Sequence, residues 1–180
     1  MTLVLGACLE NSVILAADSW VFRDGGDGVP KYAGIDRKLF KLDRTGIATF
    51  AGDPSYKSHV PTEIDTNIPR DLGPDETCWK FLRHFEPAMG TCALVGGFEN
   101  DGKAVLYELA VPYAYFPLAE SKIFYRGFEQ DSVDCKSPTV IGVLNQMLDL
   151  LESKSGKKAG PPYEFLVIER PIQKIGSNPQ

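Results

Sequence analysis

Two short β-rich runs, joined by a very tight connection, restrict the fold more than any other feature of this sequence. Residues 3–9 (LVLGACL) and 12–17 (SVILAA) are apolar, and only Glu10-Asn11 lies between them. A two-residue connection between such runs is typical of an antiparallel hairpin. We therefore expect an antiparallel sheet with this hairpin inside it.

The order of the remaining elements predicts how many layers the fold has. A glycine-rich stretch at residues 22–35 reads as a loop or an extended arm. Residues 38–42 and 46–52 follow as a second strand pair that turns at residues 43–45, and residues 91–98 and 103–110 form a third pair around Glu-Asn-Asp-Gly. The order ββββ-α-ββ-α-β predicts an α+β fold of two packed sheets with helices outside, as one domain over residues 1–180.

Helices are predicted at two main places. Apolar residues recur at helical spacing over residues 75–86, and again over residues 138–153, where Ser137 is the expected cap and Pro138 the first residue. At most one short helix fits around residues 55–59. A final strand is expected at residues 163–169, and residues 176–180 are expected to form a loose tail.

Composition excludes several classes of function. The net charge of −5 over 180 residues argues against a nucleic-acid partner. No apolar run approaches the roughly 18 residues that span a membrane, and no basic leader precedes Cys8, so a cytoplasmic location is expected. The four cysteines show no C-x-x-C pair and only two histidines are present. We therefore expect free thiols, no metal site and no cofactor.

The amino-terminal motifs resemble a known family. A threonine at position 2, the run VILAADS, the strand KLFKL and the sequence Ala51-Gly52-Asp53 are together similar to proteasome β-type subunits and their HslV-like relatives. That family consists of N-terminal nucleophile hydrolases that use threonine. The resemblance is tight over residues 2–53 and weaker at residues 94–102, 138–153 and 163–169. It implies a four-layer αββα sandwich and a homo-oligomeric ring, and it leaves open whether an ATPase is a partner.

The resemblance assigns four catalytic positions. It implies that Thr2 is the nucleophile after removal of Met1, that Lys38 activates it, and that Asp18 orients Lys38. Gly52 falls where a backbone N–H belongs to the oxyanion hole. From the residues alone, other roles stay open: Thr2 as an ordinary strand residue, Asp18 as a turn cap, Lys38 as a surface lysine and Gly52 as a turn glycine.

The resemblance also places a peptide or small amide substrate. It implies that the substrate lies extended between the glycine-rich stretch and the strand that carries Gly52, and that Phe50 fills most of a small, uncharged specificity pocket. The implied substrate-binding residues are Val21, Phe22, Phe40, Thr49, Phe50 and Pro54.

Four positions depart from the family pattern. Arg126 stands where the family has a serine, and Gly156 and Ala159 stand where it has an aspartate and a serine. Trp20 also replaces a frequent arginine. The leading prediction is a threonine-type amide hydrolase, with a peptidase as the main form. The alternatives are a non-catalytic scaffold subunit and a small-amide hydrolase of the same fold.

Overall fold

Antiparallel strands dominate the structure. A computed structural model describes residues 3–24, 30–51, 60–85, 92–110, 114–127, 130–154 and 159–170. In chain order the elements are β1 (Leu3–Leu9), β2 (Ser12–Asp18), β3 (Trp20–Asp24), β4 (Pro30–Ile35), β5 (Leu39–Lys41), β6 (Thr45–Ala51), α1 (Val60–Asn67), α2 (Pro74–Phe85), β7 (Cys92–Phe98), β8 (Ala104–Ala110), β9 (Ala114–Pro117), β10 (Lys122–Gly127), β11 (Asp131–Asp134), α3 (Val140–Lys154) and β12 (Tyr163–Glu169).

The strands form two five-stranded sheets that pack face to face. The first sheet has the order β11-β10-β1-β2-β12, the second has the order β5-β6-β7-β8-β9, and β3 and β4 pair as a separate hairpin. Helix α3 packs on the outer face of the first sheet, and α1 and α2 pack on the outer face of the second. This confirms the predicted four-layer αββα sandwich.

Strand β1 shows how the apolar sequence produces these layers. All seven of its residues are buried. Because side chains alternate along a strand, Leu3 and Leu5 pack toward α3, whereas Val4 and Cys8 pack between the sheets. A strand covered on both faces needs an almost continuous apolar sequence, and residues 3–9 supply it.

Glycines allow the two sheets to approach closely. A methyl group added at Gly96 of β7 would lie 2.5 Å from Cγ1 of Val13 in β2. One added at Gly46 of β6 would lie 2.7 Å from Cδ2 of Leu166 in β12. Side chains at these positions would force the sheets apart, so the spacing between the sheets depends on their absence.

The structure corrects several predicted elements. The stretch at residues 22–35 lies largely in the paired strands β3 and β4, which join Trp20 to Ile35 and Asp24 to Pro30. Strands β9, β10 and β11 were not predicted, and neither was α1. The helix expected around residues 55–59 and the loose tail at residues 176–180 both lie outside the described residues.

The start of α3 also differs from the prediction. The helix begins at Val140, and the side-chain oxygen Oγ1 of Thr139 accepts a hydrogen bond from the N–H of Gly142 at 3.2 Å. Thr139 is therefore the N-cap, because this is the bond that an N-cap hydroxyl makes with the third helical residue. Ser137 instead accepts a bond from the N–H of Thr139 at 3.3 Å and lies before the helix. Among the described residues, no helix has the length and apolar character needed to cross a bilayer.

Candidate active site

The carboxylate of Asp18 lies at the end of β2 and is fully buried. Its Oδ1 accepts hydrogen bonds from the backbone N–H of Leu3 at 2.6 Å and from Nζ of Lys38 at 2.8 Å. Its Oδ2 accepts a third from the backbone N–H of Trp20 at 3.0 Å. Three donors satisfy a carboxylate that would otherwise be costly to remove from water.

Lys38 lies directly before β5, and its side chain is only 7% exposed. Besides Asp18, its ammonium group donates to the backbone carbonyl of Trp20 at 2.8 Å. Its backbone carbonyl accepts a hydrogen bond from the N–H of Thr49, in the neighbouring strand β6, at 3.0 Å. A buried ammonium needs such acceptors, because an unpaired buried charge is strongly unfavourable. Lys38 is therefore a fixed internal cation and not a surface lysine.

This ion pair lies at one particular end of the sandwich. Asp18 binds the N–H of Leu3, the first residue of β1, and Thr2 precedes Leu3 in the chain. Ala51 ends β6 opposite Cys92, and Gly52 follows it. Thr2 and Gly52 themselves lie outside the described residues, so their roles stay predictions. The structure brings Asp18 and Lys38 together beside the strand that Thr2 precedes.

The predicted substrate-binding residues lie in three different settings. Val21 and Phe22 belong to the β3–β4 hairpin, and the strand register shifts between them. Thr49 is half-buried near the end of β6. Phe40 is 2% exposed in the core under α1 and α2, so its part in substrate binding stays a prediction. The side chains of Phe22 and Phe50, and all of Pro54, lie outside the described part of the chain.

Among the described residues, strand β6 has a neighbour on both sides up to Thr49 and on one side beyond it. Its pairing with β7 continues to Ala51 opposite Cys92. On its other side, the pairing with β5 is followed by the bond from the N–H of Thr49 to the carbonyl of Lys38. Within the described residues no strand occupies that side beyond Thr49. In the part of the chain that the structure describes, the end of β6 next to the ion pair therefore has a sheet edge on one side.

Arg126 occupies the position at which the family pattern has a serine, and the structure shows what it binds. It lies in β10 opposite Val4. Its Nε and Nη2 each donate to one carboxylate oxygen of Glu108 in β8, both at 2.7 Å, and its Nη1 donates to the carbonyls of Tyr125 and Asp131, both at 2.9 Å. The side chains of Arg126 and Glu108 are 11% and 19% exposed. This bidentate pair joins the two sheets at the same end as Lys38.

Sequence reasoning missed Glu108, although a signal for it exists. Residues 104, 106, 108 and 110 share one face of β8. This face points toward the other sheet, because Ala104 and Leu106 pack between the sheets. A glutamate that continues an inward-facing apolar series needs a buried partner. Arg126 is that partner, but no pattern in the sequence indicates which of the 19 basic residues it is.

The segment at residues 159–162 contacts Ser19 and Trp20, the two residues that follow Asp18. Ala159 is 1% exposed, and the indole Nε1 of Trp20 donates to the carbonyl of Pro161 at 2.7 Å. The hydroxyl of Ser19 donates to the carbonyl of Pro162 at 2.6 Å. Gly156 lies outside the described residues. The contacts of Ser19 and Trp20 were not predicted.

A cavity of about 940 Å³ lies far from these residues. It is lined by the β1–β2 and β7–β8 turns, including Asn11 and Asp101, and by Glu169 of β12. Glu169 pairs with Ser12 at the start of β2, whereas Asp18 ends that strand. At about 3.3 Å per residue, the cavity is roughly 20 Å from Asp18. It is therefore separate from the candidate active site.

The four cysteines are free thiols that lie wholly or partly out of solvent. Cys8 and Cys78 are buried, and Cys92 and Cys135 are half-buried. Burial raises the pKa of Cys8 to about 12 and also raises the pKa of Cys78. The described residues contain no group of three or more acidic, histidine or cysteine side chains that could hold a metal ion.

Comparison with known proteins supports the fold at the level of structure. No protein-family model and no curated protein match the chain. A solved structure of an Anbu (Gly-1) mutant from Hyphomicrobium sp. strain MC1 resembles it with a TM-score of 0.70 and 15% sequence identity. The match covers 94% of this chain and 82% of that chain.

These findings correct the family assignment made from the motifs. The predicted membership among proteasome β-type and HslV-like subunits is wrong as an assignment of family, because no family model matches the chain and the structural likeness is to an Anbu protein at 15% identity. An identity this low shows a shared fold alone. The chain has the αββα fold of N-terminal nucleophile hydrolases.

Proposed function

We propose that this protein is a threonine-type amide hydrolase that acts on peptides, with Thr2 as its nucleophile once Met1 is removed. The observation that carries the proposal is the buried Asp18–Lys38 pair. The same Oδ1 atom of Asp18 binds Lys38 and the N–H of Leu3, at 2.8 and 2.6 Å. The Asp18 carboxylate therefore holds the Lys38 ammonium next to the start of β1, directly after Thr2.

A cation at this place suits an amino-terminal threonine. Its hydroxyl is a weak nucleophile until a base takes its proton. The α-amino group of the same residue titrates near ~8 and can act as that base at neutral pH. The ammonium of Lys38 favours the deprotonated forms of both groups electrostatically. A fixed cation therefore lowers the cost of forming the nucleophile.

The proposed reaction has two steps. The Thr2 oxygen attacks the amide carbon, its proton passes to the α-amine, and the backbone N–H of Gly52 binds the developing oxyanion. The amine then gives the proton to the leaving nitrogen as the C–N bond breaks, which leaves an ester on Thr2. Water attacks this ester, and the acid and the free hydroxyl are released.

The edges beside the ion pair suit an extended peptide. β6 has one unoccupied side after Thr49 in the described residues, and β3 pairs only with β4 in the two-stranded sheet. An extended peptide binds such edges as an added strand. Lys38 touches both strands, through the carbonyl of Trp20 and the N–H of Thr49. A peptide between them would lie next to the nucleophile, and we propose that Phe50 limits the residue at the cleaved position to small apolar ones.

Steady-state hydrolysis of fluorogenic peptides by Lys38→Ala tests this function. Turnover is expected to fall by at least ~10²-fold, because the acid–base contribution of the pair is lost. Lys41→Ala is the matched control, since Lys41 ends β5, three residues after Lys38, and has an exposed side chain. Thr2→Ser should retain hydrolysis and Thr2→Ala should abolish it. Undiminished turnover by a folded Thr2→Ala protein refutes the proposal.

A non-catalytic scaffold subunit is the second candidate, and one observation favours it. The Arg126–Glu108 pair occupies the position expected for a serine near the nucleophile and uses Nε, Nη1 and Nη2 of the guanidinium in protein contacts. An arginine engaged in this way ties the sheets together and does not transfer protons at neutral pH. Absence of hydrolysis by a wild-type protein confirmed to lack Met1 would favour this candidate.

In either case we propose that the chain assembles into a closed homo-oligomeric ring. The support is the exposed apolar surface of the two outer helical layers. Trp79 of α2 is 54% exposed and Ile141 of α3 is 72% exposed. Large apolar side chains on the outer faces of both layers are suited to contacts with further copies of the chain.

A further inference from the structure

We infer that Trp20 is a positioning residue that fixes the ammonium of Lys38, and this inference rests on the proposed function. The carbonyl of Trp20 accepts a hydrogen bond from Lys38 Nζ at 2.8 Å, and its backbone N–H donates to Asp18 Oδ2 at 3.0 Å. One residue thus contacts both members of the ion pair through its main chain. Its side chain determines how firmly that main chain is held.

The indole ring of Trp20 binds the segment before β12. Its Nε1 donates to the carbonyl of Pro161 at 2.7 Å. The ring also lies against Gly160, where an added methyl group would be 2.3 Å from Cε2 and 2.4 Å from Cζ2 of the indole. Only a glycine leaves room for the ring in this position, so Gly160 and Trp20 fit each other sterically.

Neighbouring contacts hold this segment at two further points. The hydroxyl of Ser19 donates to the carbonyl of Pro162 at 2.6 Å. Tyr163 then pairs with Asp18 as β12 joins β2. The segment is therefore fixed relative to Asp18 independently of Trp20. An indole attached to it positions the Trp20 carbonyl, and hence Lys38, relative to the carboxylate.

Catalysis is sensitive to such positioning. A misplacement of about 1 Å in a reacting arrangement can reduce a rate ~10²-fold. Asp18 is also held by the N–H of Leu3 and by the pairing of β2 with β12, so the Trp20 carbonyl is the partner of Lys38 whose place depends on a side-chain contact. Loss of the indole contact should therefore act on turnover and leave peptide binding unchanged.

Trp20→Phe and Gly160→Ala test the inference kinetically. Each is expected to lower kcat about 10-fold with KM within twofold of wild type, since Trp20→Phe removes the hydrogen bond of the indole and Gly160→Ala displaces the ring, while Lys38 is kept. Gly160→Ala should change kcat less than twofold in a Trp20→Ala background, where no ring meets the new methyl group. Phe116→Leu is the control, because Phe116 is exposed on β9, outside the helical layers. Wild-type kcat in both single variants, or an equal effect of Gly160→Ala in both backgrounds, overturns the inference.

A second readout does not depend on activity. Acetylation of Lys38 by an amine-reactive ester, quantified by mass spectrometry against exposed Lys41, measures how well the ammonium is held. Labelling of Lys38 should be at least fivefold faster in Trp20→Phe and Gly160→Ala than in wild type or Phe116→Leu. If the wild type hydrolyses no peptide, the proposed function fails, while faster labelling still supports positioning by Trp20. Unchanged labelling contradicts it.

Discussion

Lys38 and Arg126 are both held out of solvent, and each contacts a carboxylate. The two ion pairs differ in what else they bind. The ammonium of Lys38 binds Asp18 and Trp20, at the end of β2 and the start of β3, whereas Arg126 joins the two sheets through Glu108. We therefore assign chemistry to the first pair and mechanical stability to the second.

Removing one partner of the second pair should be strongly destabilising. Arg126→Met leaves the Glu108 carboxylate, 19% exposed, without its cation. The free energy of unfolding is expected to fall by about 3 kcal/mol. Urea denaturation followed by circular dichroism measures it.

Arg37→Met is the matched control for this prediction. Arg37 binds Asp65 through side chains that are 47% and 46% exposed. Exposed pairs contribute about 0–1 kcal/mol, so the loss should stay in that range. An equal loss in both variants would show that the pair between the sheets has no special role.

The N-cap of α3 predicts how the stability of the protein depends on one hydroxyl group. Thr139→Ala removes the hydroxyl that binds the N–H of Gly142. The unfolding free energy should fall by about 1 kcal/mol, the usual cost of losing an N-cap. Ser137→Ala should cost less, because Ser137 lies before the helix. Thermal unfolding compares the two, and a larger effect at Ser137 would contradict the assignment of the cap.

A second prediction concerns the contact between β7 and the β5–β6 turn. A methyl group at Gly97 would lie 2.2 Å from the backbone oxygen of Arg44, so the backbone must move. Gly97→Ala is expected to cost about 3 kcal/mol. At Gly6 the nearest atoms are flexible leucine side-chain ends at 3.0 Å, so Gly6→Ala should cost less. Chemical denaturation measures the loss of unfolding free energy in each variant. A larger loss in Gly6→Ala than in Gly97→Ala would contradict this packing.

The sequence predicts best the elements whose apolar pattern is strong. Strands β1, β2 and β12 were predicted with bounds within one residue, because each is a run of at least six residues with a clear β pattern. The segment at residues 114–134 was missed, since its strands β9 and β11 have four residues each. Such short strands are defined by pairing with distant partners, which local patterns do not reveal.

In the candidate site too, local motifs were predicted and contacts between distant residues were missed. Asp18 and Lys38 were predicted as partners from motifs, and the structure brings them together. The contacts of Trp20 with Pro161 and of Arg126 with Glu108 were not, because they join residues 141 and 18 positions apart with no spacing rule. Packing of the whole chain selects these partners.

For the whole molecule, the assembly prediction can be tested on α3. Light scattering at micromolar concentration should show a closed oligomer for the wild type. Ile141→Lys places a charge on an apolar side chain that is 72% exposed, and it should yield smaller species. Asn100→Lys adds the same charge at an exposed polar position in the β7–β8 turn, outside both helical layers, and should assemble normally. A strictly monomeric wild type contradicts the proposed ring.

The central claim is that Thr2, activated by Lys38, is the nucleophile of this fold. Intact mass spectrometry after treatment with a threonine-directed epoxyketone tests it most directly. The account predicts a wild-type chain without Met1 that gains the mass of one inhibitor, and a folded Thr2→Ala chain that gains none. A wild-type chain that retains Met1, or one that stays unmodified at saturating inhibitor, would contradict it.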